Sequence, residues 1–335
     1  MNNQVKYVAE TLGGFSRLRR GRGFIYLDYT GQKIADPFLL QRFRELKIPP
    51  NWKKVWICSD PLGHIQTVGY DQKRRKQYIY HEEWRRLRNL EKFNKLVEFG
   101  RLLPEIRRRA YEDTRLPGWP KNKALGLIVL TLNEVYIRIG NKFYRDENET
   151  FGLTTIRRKH LHFEGSGVQF EYKAKSGKYR KISIENRRLA RLIRECSQLP
   201  GYEVFRYREN GATISIDSSD VNAYLRQISG ENFTSKDFRT WGGTALAVEK
   251  LAEARAIASE NKRAKLPAIL VKLVAHELGN TQAICREYYV HPAILAAVES
   301  GEFEKLSFCE EAEKGFELSA AEQKALEIIS NTATR

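Results

Sequence analysis

The rhythm of apolar and polar residues changes near residue 82 of the chain. Before it, short runs rich in aromatic and β-branched residues (Phe24–Tyr29, Trp56–Ile57, His64–Thr67 and Gln77–Tyr80) alternate with Pro, Gly and Asp, the pattern of strands joined by turns. From Glu82 onward, Leu87, Leu90, Phe93, Leu96 and Val97 recur at three- and four-residue spacing in a charged segment, which predicts a long amphipathic helix. Pro104 is expected to end or kink it, because proline lacks an amide hydrogen and clashes with the preceding turn. Lys121–Ile139 is apolar nearly all round and predicts a buried helix. Three strands are predicted next, Lys159–Phe163, Val168–Lys173 and Tyr179–Ile184, with Lys175–Lys178 as the hairpin turn between the last two. The remainder reads as helices: Arg187–Cys196, Asp220–Ile228, Lys236–Ser259, Lys265–Glu277, Pro292–Glu299 and Ala320–Ile329, with Gly279 where a C-cap would stand. The fold class is α+β. A small sheet-containing N-terminal domain is expected over residues 1–88 and a mainly α-helical domain with a three-stranded antiparallel sheet over 89–335, the boundary falling within 81–95.

Charge narrows the choice of partners. Lys and Arg total 58 against 41 Asp and Glu, a net +17, which favours nucleic acid or, less often, an anionic membrane surface. The C-terminal segment from Gly301 runs the other way and is expected to be a packing or solubilising helix rather than a DNA surface. Cys58, Cys196, Cys285 and Cys309 are far apart and form no CxxC pair, which argues against a disulfide framework or zinc site and fits a reducing cytosol. The first residues hold no apolar core of signal-peptide length, and the longest apolar run, near Leu125–Leu132, is too short to span a bilayer. The expectation is a cytoplasmic, nucleoid-associated protein with no membrane partner.

Missing motifs narrow the chemistry. No GxxxxGK(S/T) is present, so no P-loop is expected. His276-Glu277 is not the start of HExxH, because position 280 is Asn280, and no carboxylate cluster suggests a two-metal nuclease. Neither a metal nor a cofactor is expected.

Four segments stand in order: RIGNKFYRDENETFGLTTIRRKH from Arg138, EYKAKSGK around Lys175, KDFRTWGGT around Arg239, and LGNTQAICREYYVHPAIL. Together with the upstream IPPNWKKVWICSDPLGHIQTVGYDQKRRKQYIYHEEWRRLRNLEKF, this sequence resembles the small type IB DNA topoisomerases of bacteria and poxviruses over roughly residues 15–300. The resemblance implies a monomeric two-domain clamp around double-stranded DNA that nicks one strand, releases supercoils of either sign and reseals, without ATP or metal. It implies Tyr289, rather than Tyr288, as the nucleophile held on the 3′ phosphate, with Arg138, Lys175, Arg239 and Asn280 as the other catalytic residues. Ala174 stands where relatives have glycine.

The implied roles suit the residue types. Attack at phosphorus builds negative charge on the non-bridging oxygens, to which the guanidinium forks of Arg138 and Arg239 can donate. Asn280 can add an amide donor. Lys175 suits the general acid that protonates the leaving 5′ oxygen. A phenol is a weak nucleophile at neutral pH, so Tyr289 needs the cationic surroundings. Plainer readings exist: hairpin lysines are commonly solvated, and arginines at helix ends commonly cap them.

Alternation would place Lys76, Tyr78 and Tyr80 on one face of a strand. Lys76, Gln77, Tyr78 and Tyr80, with Lys142, Tyr144 and Arg145 beyond Arg138, are the expected DNA contacts. His160 and His162 alternate along a strand and are expected to pack near DNA rather than hold metal, and Cys285 to be an inert helix-side thiol. Two other functions are compatible with the residues. A tyrosine recombinase commonly carries His-x-x-Arg where this chain has Lys236-Asp237-Phe238-Arg239. A non-catalytic DNA-binding relative would be expected to have lost some of the five site residues.

Overall fold

A computed structural model of the chain describes residues 4–10, 13–260, 263, 265–301, 303 and 315–333. The chain divides into two compact units, Met1–Lys92 and Phe93–Arg335.

The first unit is a five-stranded antiparallel sheet in the order β2-β1-β3-β4-β5, formed by β1 (Gly14–Arg20), β2 (Gly23–Leu27), β3 (Lys53–Cys58), β4 (Ile65–Tyr70) and β5 (Lys76–Tyr80). Helix α1 (Pro37–Glu45) lies between β2 and β3 in sequence, started by Asp36, whose carboxylate accepts from the Phe38 amide, and by Pro37 at the first turn. Its Phe43 is buried with Phe15 and Tyr26 ring centroids 5.2 and 4.8 Å away, and with Val55 and Ile57 it forms a small core. Sequence periodicity predicted neither β1 nor α1. In β1 Phe15 packs on this core but the fully buried position is Arg17, which donates to the carbonyls of Ile48 (2.9 Å) and Pro49 (2.7 Å), so the strand's inward face mixes apolar and charged residues and shows no clean alternation.

Helix α2 (Glu82–Asp113) carries the chain across the boundary between the units. It does not stop at Pro104: beyond that residue Ile106 and Ala110 continue the buried stripe begun by Phe93, Leu96, Phe99 and Leu103, and this packing outweighs the local cost of proline. Leu87 and Leu90, at the start of the predicted stripe, are exposed.

The second unit holds the large core. Its elements are α3 (Lys121–Val135), α4 (Lys142–Asn148), β6 (Leu161–Glu164), β7 (Gly167–Lys173), β8 (Tyr179–Ile184), α5 (Arg187–Ser197), β9 (Arg206–Glu209), β10 (Ala212–Ser215), α6 (Ser218–Ser229), α7 (Ser235–Glu249), α8 (Leu251–Glu260), α9 (Leu266–Leu278), α10 (Gln282–Tyr288), α11 (Pro292–Ser300) and α12 (Ala320–Ala333). Strands β6, β7 and β8 form an antiparallel sheet in that order, with Tyr172 opposite Arg180 and Lys173 opposite Tyr179. The long helix predicted from Lys236 is two helices broken at Lys250, a position with neither glycine nor proline to signal it. α7 is buried along almost its whole length and packs on α3, α6, α9 and α12. α12 buries Ala325, Ile328 and Ile329, while most of the acidic segment before it, including Cys309, lies outside the described residues.

Candidate active site

Four of the five residues expected to act on phosphate converge in the second unit. Helix α3 ends at Tyr136, which turns into the left-handed region (φ 48°) and leads the chain out of the helix to Arg138. Arg239 sits in the first half of buried α7. Its Nη1 donates to the Tyr136 carbonyl and its Nη2 to the Leu278 carbonyl at 2.9 Å, so one guanidinium joins the ends of α3 and α9. Helix α9 closes at Gly279 (φ 62°), whose left-handed turn delivers Asn280. The Asn280 Oδ1 accepts from Arg138 Nη2.

These bonds leave two donors unused. Arg239 Nε and Asn280 Nδ2 are both buried, and among the described residues neither has a hydrogen-bond partner. A buried donor without an acceptor costs on the order of 1–3 kcal/mol, so both atoms would gain from an oxygen arriving beside them.

Tyr289 caps the C-terminus of α10, with its half-buried ring against the core and the Arg239 guanidinium carbon 5.2 Å from the ring centroid. Its backbone is fixed from α7. The Thr244 hydroxyl lies 3.3 Å from the Tyr289 carbonyl and accepts from the His291 amide at 3.1 Å. A Cβ on Gly243 would lie 2.5 Å from the Tyr289 carbonyl oxygen, and one on Gly242 would run into the Tyr136 ring, so the paired glycines allow both close approaches. Thr244, Gly243 and Gly242 were not singled out from the sequence. The available signal was two successive glycines inside a predicted helix, each costing about 1 kcal/mol relative to alanine.

The electrostatics follow from burial and from like charge. Burial, then Arg138 nearby, lower the Arg239 pKa to about 10 against an opposing effect of Tyr289; the guanidinium still carries its charge at neutral pH. Tyr172 on β7 is buried, which raises the pKa of its phenol, and Arg180, Arg239 and Arg138 all pull it back. Cys285 on α10 is a buried thiol pushed up to about 11 by desolvation.

Lys175 is not joined to this cluster. It is exposed at the tip of the β7–β8 hairpin, where Ser176 takes φ 67° and Gly177 φ 76°. Ala174 needs no glycine, because its φ is −89° and its side chain is buried in the core.

The remaining candidates are dispersed. In β5, Lys76, Tyr78 and Tyr80 share the exposed face; the two tyrosine rings stack at 5.8 Å, and Lys76 pairs with Glu10 while its ammonium lies 5.6 Å from the Tyr78 ring. Gln77 faces the other way and donates to Asp71 at 3.2 Å. Lys142 is exposed on α4. Arg145 there is held by Glu203 (2.6 Å) and Asp146, and the Tyr144 side chain lies outside the described residues. His160 is buried with Nδ1 accepting from the Arg157 amide, whereas His162 lies 3.7 Å from Glu171. Among the described residues no group of three or more His, Cys, Asp or Glu could hold a metal ion, and no helix is long and apolar enough to cross a membrane.

Comparison with known proteins places this geometry in a family. Residues 81–313 match the family described as eukaryotic DNA topoisomerase I, catalytic core, and residues 23–71 match bacterial DNA topoisomerase IB, N-terminal domain. A DNA topoisomerase 1B of Acanthamoeba polyphaga mimivirus is 29% identical over 87% of this chain and 88% of its own length. The DNA topoisomerase 1B of vaccinia virus (strain Copenhagen) is 23% identical over 78% and 82%. Among solved structures, the XerH site-specific recombinase bound to a palindromic difH substrate aligns with a TM-score of 0.36 at 15% identity, over 71% of this chain and 60% of that one. With most of its length inside the catalytic-core family and a bacterial-type N-terminal domain before it, the chain belongs to the type IB DNA topoisomerases and is an enzyme of that type.

Proposed function

We propose that the enzyme relaxes positive and negative supercoils by transient cleavage of one strand through a 3′-phosphotyrosyl intermediate on Tyr289, followed by religation, without ATP or metal. The observation that carries this reading is the pair of buried, unpartnered donors, Arg239 Nε and Asn280 Nδ2, in the cluster that adjoins Tyr289. In the cleavage step the Tyr289 oxygen forms a bond to phosphorus as the bond to the 5′ oxygen breaks. Arg138, Arg239 and Asn280 donate to the non-bridging oxygens as their charge grows; such a positioned donor is worth on the order of 10²–10³ in rate. Lys175 gives its proton to the 5′ oxygen, the phenol proton passes to water, and religation reverses each transfer. Exchange of one phosphodiester for another keeps the bond energy, so no nucleotide is consumed. Arg145 is held by Glu203 in a largely buried pair, whereas the pair of Lys76 with Glu10 is open to solvent, so Lys142 and the exposed Lys76–Tyr78–Tyr80 face are the better DNA contacts of those expected. Phosphate contacts dominate duplex binding, so affinity should fall steeply with salt. We further propose that the enzyme acts as a monomer in the cytoplasm, on nucleoid DNA.

The test is supercoiled plasmid in EDTA without ATP, with Tyr289→Phe alongside. A ladder of topoisomers from the parent enzyme alone supports the reading. Relaxation by Tyr289→Phe would move the nucleophile elsewhere, and no relaxation by either despite tight DNA binding would overturn it.

A further inference from the structure

The C-terminus of α9 is held by two arginines from different elements. Arg239 takes the Leu278 carbonyl from α7. From the sheet, Arg180 of β8 takes the two carbonyls before it, with Nη1 3.1 Å from the His276 oxygen and Nη2 2.6 Å from the Glu277 oxygen. A cation at this end also faces the negative pole of the helix dipole. Gly279 makes room for it: a Cβ there would lie 2.6 Å from Arg180 Nη1. The chain then turns into Asn280.

Arg180 belongs to the same hairpin whose tip carries Lys175. The two sides of this brace are unequally supported. The Asn280 turn keeps other restraints, since its own amide donates to the Ala275 carbonyl at 2.9 Å and Arg239 holds Leu278. Among the described residues, the hydrogen bonds that tie β8 to α9 are those of Arg180. The Lys173 carbonyl at the base of the hairpin accepts from the Phe151 amide at 2.9 Å, but among the described residues the exposed tip itself, with Ser176 and Gly177 in left-handed conformations, makes no hydrogen bond outside the hairpin.

We propose that Arg180 is a positioning residue that fixes the Lys175 hairpin against the Asn280 turn, so that its loss impairs protonation of the leaving 5′ oxygen. The inference rests on the proposed role of Lys175 as general acid. A misplacement of about 1 Å can cost on the order of 100-fold in rate, so Arg180→Ala should slow cleavage by at least about 10-fold.

The experiment measures single-turnover formation of the covalent adduct at saturating enzyme, on duplexes carrying either oxygen or sulfur at the bridging 5′ position of a mapped cleavage site. A thiol ionises near pH 8.5, so sulfur departs without a proton donor. Arg180→Ala, Arg180→Gln, Lys175→Ala and Asn280→Ala are compared with the parent enzyme, and folding is checked by melting temperature. The expected result is that both Arg180 variants and Lys175→Ala are slow on oxygen and within a few-fold of the parent on sulfur, while Asn280→Ala is slow on both. Arg180 variants that cleave the oxygen duplex normally, or that are equally slow on both duplexes, overturn the positioning role even if Lys175→Ala behaves as an acid-deficient enzyme. Normal cleavage of the oxygen duplex by Lys175→Ala would instead remove the acid role, and this inference with it. If Arg180→Ala does not fold, Arg180→Gln, which keeps a side-chain donor, decides between the same outcomes.

Discussion

Arg138 donates to the Asn280 side-chain oxygen, and the nitrogen of that same amide is buried with no partner among the described residues. The bond fixes which way the amide faces, so the free donor is oriented before DNA arrives. Asn280→Ala should lower the single-turnover rate of adduct formation on the order of 10²–10³-fold. Asn280→Asp should be slower still. It would form an ion pair with Arg138, but it has no donor to offer and sets a negative charge against the phosphate. Its melting temperature should match or exceed that of the parent. An Asp variant faster than the Ala variant would contradict this orientation.

His160 predicts an acid-sensitive stability. Its ring is buried against Phe151, with centroids 4.3 Å apart, and Nδ1 accepts the Arg157 amide. Burial, reinforced by Lys159 and Arg157, lowers its pKa from 6.5 to about 4. Above pH 6.5 the ring is neutral in folded and unfolded chains alike. Between about 6.5 and 4 the unfolded chain binds a proton that the folded chain refuses, so stability falls as pH falls through that window. His160→Asn, which keeps an acceptor for the Arg157 amide, should lose less stability than the parent between pH 6.5 and 4.5. A difference on the order of 1 kcal/mol is expected after allowing for solvent near the ring. Parallel pH curves from denaturant titrations would contradict it.

What was readable in the sequence, and what was not, follows from how each signal arises. The β6–β7–β8 sheet and most helices of the second unit were legible because their apolar periodicity matches the faces they bury. Strand β1 was hidden because the residue it buries most, Arg17, is charged and satisfied by carbonyls distant in sequence, which breaks the apolar alternation begun by Phe15. The end expected at Pro104 fails because tertiary packing overrides a local penalty. The site residues were picked out by ordered motifs, which carry residue type but not contact. Hence Gly243, Thr244 and Arg180, whose importance lies in what they touch, could not be read from the sequence alone.

Glu322 ties α12 to the helix that carries Arg239. Its carboxylate accepts from Trp241 Nε1 at 2.9 Å and from Arg107 Nη2 at 2.6 Å, with the Arg107 and Glu322 side chains only 13% and 5% exposed. Glu322→Ala would leave both donors without that acceptor. Breaking a buried pair on one side costs about 3–5 kcal/mol, which for a unit of this size corresponds to roughly 10 °C in melting temperature. Glu322→Gln keeps the shape and an acceptor, so its loss should be clearly smaller. Equal melting temperatures for the Ala variant and the parent would show that the buried network adds nothing to stability.

Gly243→Ala sets two effects of known sign against each other. Alanine in a helix interior is favoured over glycine by about 1 kcal/mol, which alone would stabilise α7. The new methyl, however, would sit 2.5 Å from the Tyr289 carbonyl oxygen and 3.0 Å from the Tyr289 Cβ, and the nearest of these is backbone that no rotamer change can move aside. Overpacking of this kind costs about 1–3 kcal/mol, so the net change in stability should be small and destabilising. The functional change should be larger, because the displaced segment is the one that carries the proposed nucleophile. Adduct formation at saturating enzyme should fall by about 10- to 100-fold, while the affinity for intact duplex, measured with Tyr289→Phe in both backgrounds, stays within a few-fold. Full cleavage activity in a stably folded Gly243→Ala enzyme would mean that the Tyr289 backbone can shift without consequence, and that its close fit against α7 does not set the geometry of attack.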